Sequence, residues 1–236
     1  MARKHLRTVV RMAVAGAVLL AAAAVALAVW VFAVLPDPSG LVHRNPTDWA
    51  FLERARRAGQ RVEHRWVPYD AISDELKLAV LVAEDINFFD HRGFDRDELR
   101  FAIRDWLAGK RLRGASTISQ QLVKNLWLSS RRSVWRKLEE AVLTWKLERS
   151  LSKRRILELY LNVVQFGPGV FGAEAAARRY FGIPASELTA EQAAALAAAL
   201  SRPSRWHPGA DSKAYRARVA LILKRMHGAG WLRAKL

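Results

Sequence analysis

The chain has 236 residues, of which 51% are hydrophobic, so it is long enough for one domain with a buried core and too short for two large ones. Its formal net charge of +17 indicates an anionic partner. The absence of cysteine excludes disulfides, thiolate nucleophiles and cysteine-bound zinc, and leaves the redox compartment undetermined.

The N-terminal end has the pattern of a membrane anchor. Residues 12–35 contain no charged side chain and exceed the roughly 20 residues that a helix needs to cross a bilayer. The basic residues 1–11 predict a cytoplasmic tail, with everything after Pro36 outside. A cleaved signal peptide and a buried helix of a soluble core are the alternatives. Beside a membrane, a basic domain is expected to meet lipid phosphates before any nucleic acid.

Proline and glycine are frequent in residues 36–68, which predicts a stalk with one short helix at residues 49–58. From Ser73 onward the apolar residues recur with a helical period, and no alternating strand pairs interrupt them. The fold class is therefore predicted to be mostly α, with a domain over residues 69–236. Its predicted helices cover residues 73–84, 96–108, 117–127, 134–150, 152–164, 172–181, 189–200 and 211–227.

Glu84 follows the apolar run from Leu78 to Ala83 at the end of the first of these helices. Partial burial there would raise the pKa of its carboxyl toward that of a useful general base. The alternative is a surface ion pair with one of the many arginines. His91, a little further on, is interpreted as a packing histidine, because no second ligand at a suitable spacing supports a zinc site.

The segment at residues 109–125 combines cations with hydroxyl and amide groups. Residues 109–114 are bounded by glycine and strongly basic, which predicts either a mobile loop over an anionic substrate or an ordinary solvated loop. Ser116 and Thr117 begin a helix whose free backbone N–H groups suit an anion. Gln121 and Lys124 lie one turn apart on that helix and can reach the same sugar or diphosphate.

Glu140 lies in the predicted helix over residues 134–150. One side of this helix carries an apolar stripe, formed by Leu138, Ala141, Val142 and Trp145. Glu140 falls on the opposite side and is predicted to lie outside the core. An i,i+4 ion pair with Arg136, worth about 0.3–0.5 kcal/mol if exposed, is the simplest interpretation of its position.

Two further patterns are rejected. Residues 167–172 fit Gly-x-Gly-x-x-Gly, but Pro168 removes a backbone N–H and no strand–helix alternation provides a nucleotide-binding sheet, so no nucleotide cofactor is predicted. Residues 150–153 fit Ser-x-x-Lys, but no Lys-Thr-Gly or Ser-Asp-Asn follows, so no transpeptidase half is predicted.

Several sequence blocks follow one another in a fixed order. They are EDINFFDHRG at 84–93, GASTISQQLVKN at 114–125, RKLEEA at 136–141, KRRILELYLN at 153–162, GAEAAARRYFG at 172–182 and LTAEQ at 188–192. In order and wording these blocks resemble the glycosyltransferase domain of peptidoglycan synthases. That domain occurs in class A penicillin-binding proteins and in monofunctional peptidoglycan transglycosylases. The resemblance extends from about Tyr69 to Pro208.

The resemblance implies a lysozyme-like helical domain that polymerises lipid II, a disaccharide-pentapeptide on undecaprenyl diphosphate, into β-1,4-linked glycan with inversion. It makes Glu84 the general base and Glu140 the second catalytic carboxylate, with a divalent cation (Mg²⁺ or Mn²⁺) near Glu140. The substrate-binding residues that it implies are Asp85, Ser116, Thr117, Gln121, Lys124, Asn125, Arg136 and Lys137.

The expected partners are lipid II, the growing lipid-linked glycan and the cytoplasmic membrane, together with other cell wall synthases and division proteins. Two other functions remain open from the residues alone. A lysozyme-like glycoside hydrolase would also use paired carboxylates, although the cations around Glu140 would have no phosphate to bind. A non-catalytic, membrane-anchored scaffold would not depend on Glu84.

Overall fold

The computed structural model of the chain describes residues 2–95, 97, 100–101, 104, 116–129 and 133–236. It forms two compact units, one up to Asp37 and the other Pro38–Leu236. The helix predicted over residues 96–108 and the basic loop predicted over residues 109–114 lie outside the described residues, apart from the single positions just given.

The first unit consists of one helix, α1 (Ala2–Val34), which is long and apolar enough to cross a bilayer. Many of its apolar side chains are exposed, among them Leu20 and Val25. Exposed apolar surface of this extent is stable in lipid and costly in water. A signal sequence near an N-terminus shares these properties.

The second unit is mostly helical, as predicted. Its α-helices within the described residues are α2 (Ala50–Arg57), α3 (Asp74–Glu84), α4 (Ile118–Trp127), α5 (Val134–Ser150), α6 (Lys153–Val163), α7 (Ala173–Phe181), α8 (Ala190–Ala199) and α9 (Lys213–Gly228). Short 3-10 turns occur at Pro38–Val42, Tyr69–Ala71, Ala185–Glu187 and Gly230–Lys235.

A small sheet accompanies the helices. Its strands are β1 (Glu63–His64), β2 (Gln165–Gly167) and β3 (Val170–Phe171), in the spatial order β1-β3-β2. β3 pairs in parallel with β1 and antiparallel with β2. The segment predicted as a stalk thus contributes a strand to the sheet, and it also places Trp49 and Leu52 in the core.

α3 is the buried helix around which the second unit packs. Every residue from Leu76 to Val82 is at most 3% exposed, and the helix contacts α8 and α9. The ammonium of Lys77, the charged residue of this run, pairs with Asp74 and lies 4.2 Å from the ring centre of Tyr69. An apolar sequence on all sides of a helix is typical of such a central position.

Local capping determines where the helices begin. The Ser73 side chain accepts the N–H of Glu75 at the start of α3, and Thr189 forms a capping box with Gln192, its Thr-x-x-Gln sequence partner, at the start of α8. A second capping box, between Thr117 and Gln120, begins α4 and was not predicted. Serine caps also begin α5, α6 and α9.

The glycines of the rejected nucleotide motif serve close packing. A Cβ atom at Gly167 would lie 1.8 Å from the hydroxyl of Tyr180, and one at Gly169 would lie 2.2 Å from the carbonyl oxygen of Arg61. At Gly172, which has a φ of 83°, a Cβ would lie 2.6 Å from the carbonyl oxygen of Asn162. Gly169 and Gly172 therefore require glycine because backbone lies against them, and Gly167 makes room for the Tyr180 hydroxyl, so these glycines have packing roles that involve no phosphate.

The two ends of α7 offer a matched stability test. Gly172 and Gly182 flank the helix, and both have positive φ, but a Cβ at Gly182 would meet no atom within 4 Å. Gly182→Ala is expected to lower the free energy of unfolding by about 1–2 kcal/mol, the cost of the left-handed backbone. Gly172→Ala is expected to cost roughly 1–3 kcal/mol more, because the clash is with backbone. Denaturant unfolding in detergent measures both, and equal losses would contradict the packing argument.

Candidate active site

Glu84 is the last residue of α3, and the chain leaves the helix directly after it. Its side chain is partly buried at the end of the apolar helix. The Nε2 atom of Gln121 on α4 donates a hydrogen bond of 2.9 Å to Glu84 Oε2. The two side chains that the sequence analysis assigned to one site are therefore in direct contact.

A buried tyrosine fixes the orientation of this glutamine. The hydroxyl of Tyr160, on α6, donates to Gln121 Oε1 at 2.9 Å, and the ring is fully buried. With its oxygen engaged by Tyr160, the amide of Gln121 must present its NH₂ group to Glu84. The chain of donors from Tyr160 to Gln121 to Glu84 sets the direction in which the carboxylate points.

Burial raises the pKa of Glu84 above its ordinary value of 4.5. The hydrogen bond from Gln121 and the charges of Arg218 and Lys124 oppose this rise, whereas Asp85 adds to it. Glu84 therefore holds a proton more readily than an exposed glutamate, which is the property that a general base near neutral pH needs.

Glu140 is a core residue, so the prediction that it lies outside the core is wrong. Its side chain is 3% exposed, and its carboxylate accepts from Arg136 Nη1 at 3.0 Å and from Lys137 Nζ. The face of α5 that carries Glu140, Leu143 and Leu147 packs against α4, and Glu140 is buried with it.

The apolar stripe predicted for this helix faces outward instead. Leu138 is 48% exposed and Trp145 is 46% exposed. Both faces of α5 have helical spacing, so periodicity alone could not decide which one is buried. The outward stripe remains an apolar surface beside the cations that surround Glu140.

Lys124 connects the two carboxylates. It lies on α4, one turn after Gln121, and burial lowers the pKa of its ammonium. Glu140 and Glu84 both oppose that change, whereas Arg136 and Lys137 add to it. Within the part of the chain that the structure describes, no hydrogen-bond acceptor engages the Lys124 ammonium, which leaves it available to an anion.

Asp85 and Thr117 brace the loop after Glu84. Asp85 Oδ2 accepts the backbone N–H of Ile118 at 2.9 Å, and its carboxylate also lies 3.0 Å from Nε2 of His91. The Thr117 hydroxyl donates to the carbonyl oxygen of Gly93 at 2.7 Å. At the start of α4, which was predicted to suit an anion, the N–H of Ile118 thus binds a carboxylate of the chain itself.

His91 has the structural position predicted for it. The N–H of Gly93 donates to His91 Nδ1, so Nε2 carries the proton that faces Asp85. Asp85, His91 and Asp95 lie close enough to approach one ion. Their contacts with Ile118, Gly93 and Asn87 already use these groups, so we assign no metal to the cluster.

Two of the predicted binding residues contact Gln121. Asn125 is buried and donates to the carbonyl oxygen of Gln121 at 2.8 Å. The carbonyl oxygen of Ser116 lies 3.4 Å from Gln121 Nε2. Both residues therefore surround Gln121, and neither adds a charge to the site.

Sequence reasoning missed a buried ionic group below the Glu84 loop. Glu148 accepts hydrogen bonds from the Ser119 hydroxyl and from Lys153 Nζ, the latter at 2.8 Å. The Lys153 ammonium lies 4.4 Å from the ring centre of Phe88, and burial lowers its pKa. Glu148 lies on the same face of α5 as Glu140, and this helical spacing could have predicted that the two glutamates are buried together.

The contacts of Glu140 do not favour a divalent cation held by the protein. Both carboxylate oxygens already bind cationic side chains, and Lys124 adds a third positive charge nearby. Mg²⁺ and Mn²⁺ require several oxygen ligands. Among the residues that the structure describes, Glu140 belongs to no group of three or more side chains that could ligate one ion. We therefore assign no metal ion to Glu140.

Comparison with known proteins identifies the family of this chain. Residues 51–227 match the transglycosylase family. A biosynthetic peptidoglycan transglycosylase of Methylobacillus flagellatus is 48% identical over 195 residues, which cover 80% of this chain and 85% of that protein. One of Alcanivorax borkumensis is 53% identical over 165 residues, 70% of this chain and 67% of that protein.

A further protein of the same name, from an Azoarcus species, is 48% identical over 200 residues, 81% of this chain and 85% of that protein. The matched region contains Glu84, Gln121, Lys124 and Glu140, and it also contains Arg218 on α9. The chain therefore belongs to the transglycosylase family.

Proposed function

We propose that this protein is a peptidoglycan glycosyltransferase that polymerises lipid II into β-1,4-linked glycan strands and releases undecaprenyl diphosphate. The observation that carries the proposal is the pairing of two different carboxylate sites along α4. The Glu84 carboxylate, whose pKa is raised, accepts a hydrogen bond from Gln121, and three cations lie around Glu140. The names of the relatives support the same activity.

Glu84 acts as the general base. Its carboxylate takes the proton of the 4-hydroxyl of the acceptor sugar, and the hydroxyl oxygen attacks the anomeric carbon of the lipid-linked donor. The bond from that carbon to the diphosphate oxygen breaks, with inversion. General base catalysis contributes about 10²–10⁴-fold, and Gln121 holds the carboxylate in one orientation.

Lys124, Arg136 and Lys137 stabilise the departing diphosphate. As the glycosidic bond to phosphate breaks, negative charge grows on the leaving group, and fixed cations in a partly buried site stabilise it strongly. Glu140 holds two of these cations in place through direct ion pairs. A hydrolase of glycan would form no phosphate charge, so the cations favour transfer from a diphosphate donor.

The lipid carrier requires a site at the membrane surface. We propose that α1 anchors the chain in the cytoplasmic membrane with its N-terminus in the cytoplasm. The outward face of α5, which includes Trp135, Leu138 and Trp145, suits a bilayer interface, and the Arg149 guanidinium lies 4.7 Å from the ring centre of Trp145. Cell wall synthases and division proteins stay predicted partners.

Glu84→Gln is expected to remove glycan polymerisation from labelled lipid II, with a loss of about 10²–10⁴-fold. The fold should be retained. Because the pKa of Glu84 is higher in the folded chain than in the unfolded one, the folded state loses stability as the pH rises between those two values. At neutral pH the neutral glutamine should therefore melt at the same temperature as wild type or higher.

Gel analysis of the polymer and a thermal melt in detergent measure both properties. Cleavage of preformed glycan without polymerisation by the wild type would indicate a hydrolase. Full polymerisation by Glu84→Gln would contradict the role of the base.

The pH dependence of kcat/KM should follow the ionisation of Glu84. A base must be ionised to accept a proton, so kcat/KM should fall as the pH drops through the raised pKa of this group. The acidic limb is expected above the ordinary value of 4.5. Initial rates over a pH series test this, and a limb at or below that value would show that burial does not raise this pKa.

Glu140→Gln is expected to lower kcat by roughly 100-fold or more, because Arg136 and Lys137 lose the carboxylate that aligns them. The matched control is Glu139→Gln, which removes the neighbouring, partly exposed carboxylate. The control should polymerise lipid II at about the wild-type rate. Equal losses in both variants would indicate a general effect of charge on α5.

A further inference from the structure

Two arginines of α9 bind the last turn of α3. Arg218 Nη2 donates to the carbonyl oxygen of Ala83 at 2.9 Å, and Arg225 Nη1 donates to that of Val82 at 3.3 Å. The last carbonyl groups of a helix lack intrahelical partners and carry partial negative charge. α3 has no basic residue in its own last turn, so α9 supplies the cations that this end needs.

The two arginines differ in what lies beside them. Arg218 contacts the peptide directly before Glu84, and its charge acts on the Glu84 carboxylate. Arg225 contacts the preceding carbonyl group, one residue further from Glu84. Among the described residues, the groups that act on Glu84 include Asp85 after α3, Gln121 and Lys124 on α4, Tyr160 on α6 and Arg218 on α9.

We propose that Arg218 is a positioning residue of the transfer reaction, which holds the terminal peptide of α3 so that Glu84 points at the acceptor sugar. The inference rests on the proposed role of Glu84 as the base. A guanidinium suits this position because it has five fixed donors and keeps its charge at every working pH. It can bind the carbonyl group of Ala83 and place positive charge near the carboxylate at the same time.

The arrangement holds Glu84 at two points. Gln121 binds the carboxylate itself, and Arg218 binds the backbone that carries it. Within the described residues, the Arg218 Nε atom is buried and has no hydrogen-bond partner. A buried donor without a partner costs free energy, so stability alone does not account for an arginine here.

A purely structural cap would behave in the same way at both positions, which makes Arg225 the matched control. Arg218→Gln is expected to lower kcat by roughly 10- to 100-fold, since small displacements of a catalytic group cost this much. KM should stay within about twofold of the wild-type value, because substrate binding is not the step affected. The acidic limb of kcat/KM should also move to higher pH, since the charge that favours ionised Glu84 is gone.

Arg225→Gln should keep the wild-type acidic limb and most of kcat. Arg218→Lys restores the charge without the planar donors, so its acidic limb should return toward that of wild type while kcat recovers only in part. Thermal melts of all three variants in detergent measure how much each substitution destabilises the fold. Both glutamine variants lose one cap of the same helix, so a loss of stability common to both does not explain a difference in kcat between them.

The measurements use full-length protein and labelled lipid II, with Glu84→Gln assayed in parallel. If Glu84→Gln polymerises normally, the proposed base is wrong and Arg218 has no base to position. If Glu84→Gln is inactive but Arg218→Gln and Arg225→Gln share one kcat and one pH profile, only the Arg218 inference is overturned. A change in KM alone for Arg218→Gln would also overturn it, because that result indicates binding rather than positioning.

Discussion

The carboxylate of Glu84 at the end of an apolar helix is the constraint on which this structure depends. Burying a carboxylate is costly unless hydrogen bonds and opposite charges compensate. α3 provides neither from its own last turn. The compensation comes from Gln121 on α4 and from Arg218 on α9, and Tyr160 on α6 orients the glutamine. The positions of these three helices relative to the end of α3 therefore determine how the Glu84 carboxylate is held.

The second carboxylate has a different environment, and the difference separates the two roles. Glu140 binds two cations directly and is almost fully buried, whereas Glu84 binds a neutral amide and has charges only nearby. Two acidic groups whose surroundings differ in this way are suited to different steps of one reaction. In the proposed reaction, a proton acceptor beside Gln121 and a group of ordered cations beside Lys124, one turn further along α4, match the two ends of a glycosyl transfer.

Those features of the site that depend on local sequence could be predicted. Ser73 and Thr189 cap their helices through contacts within a few residues, and the apolar run of α3 indicated a buried helix with Glu84 at its end. The face of α5 could not be predicted, since two faces had helical spacing and only the contact with α4 selects between them. The contact between Arg218 and the end of α3 could not be predicted either, because Arg218 is far from Glu84 in sequence.

In the proposed function, the orientation of α5 connects the chemistry to the membrane. Turning Glu140 inward toward Lys124 leaves Leu138 and Trp145 facing outward, and exposed apolar groups of this size are unfavourable in water. The same groups are favourable at a bilayer interface, where tryptophan is common and a nearby arginine can reach the lipid headgroups. The helix orientation that assembles the cation cluster is thus best stabilised where the outward face leaves water. A substrate that carries its diphosphate on a lipid would meet the cluster at that surface.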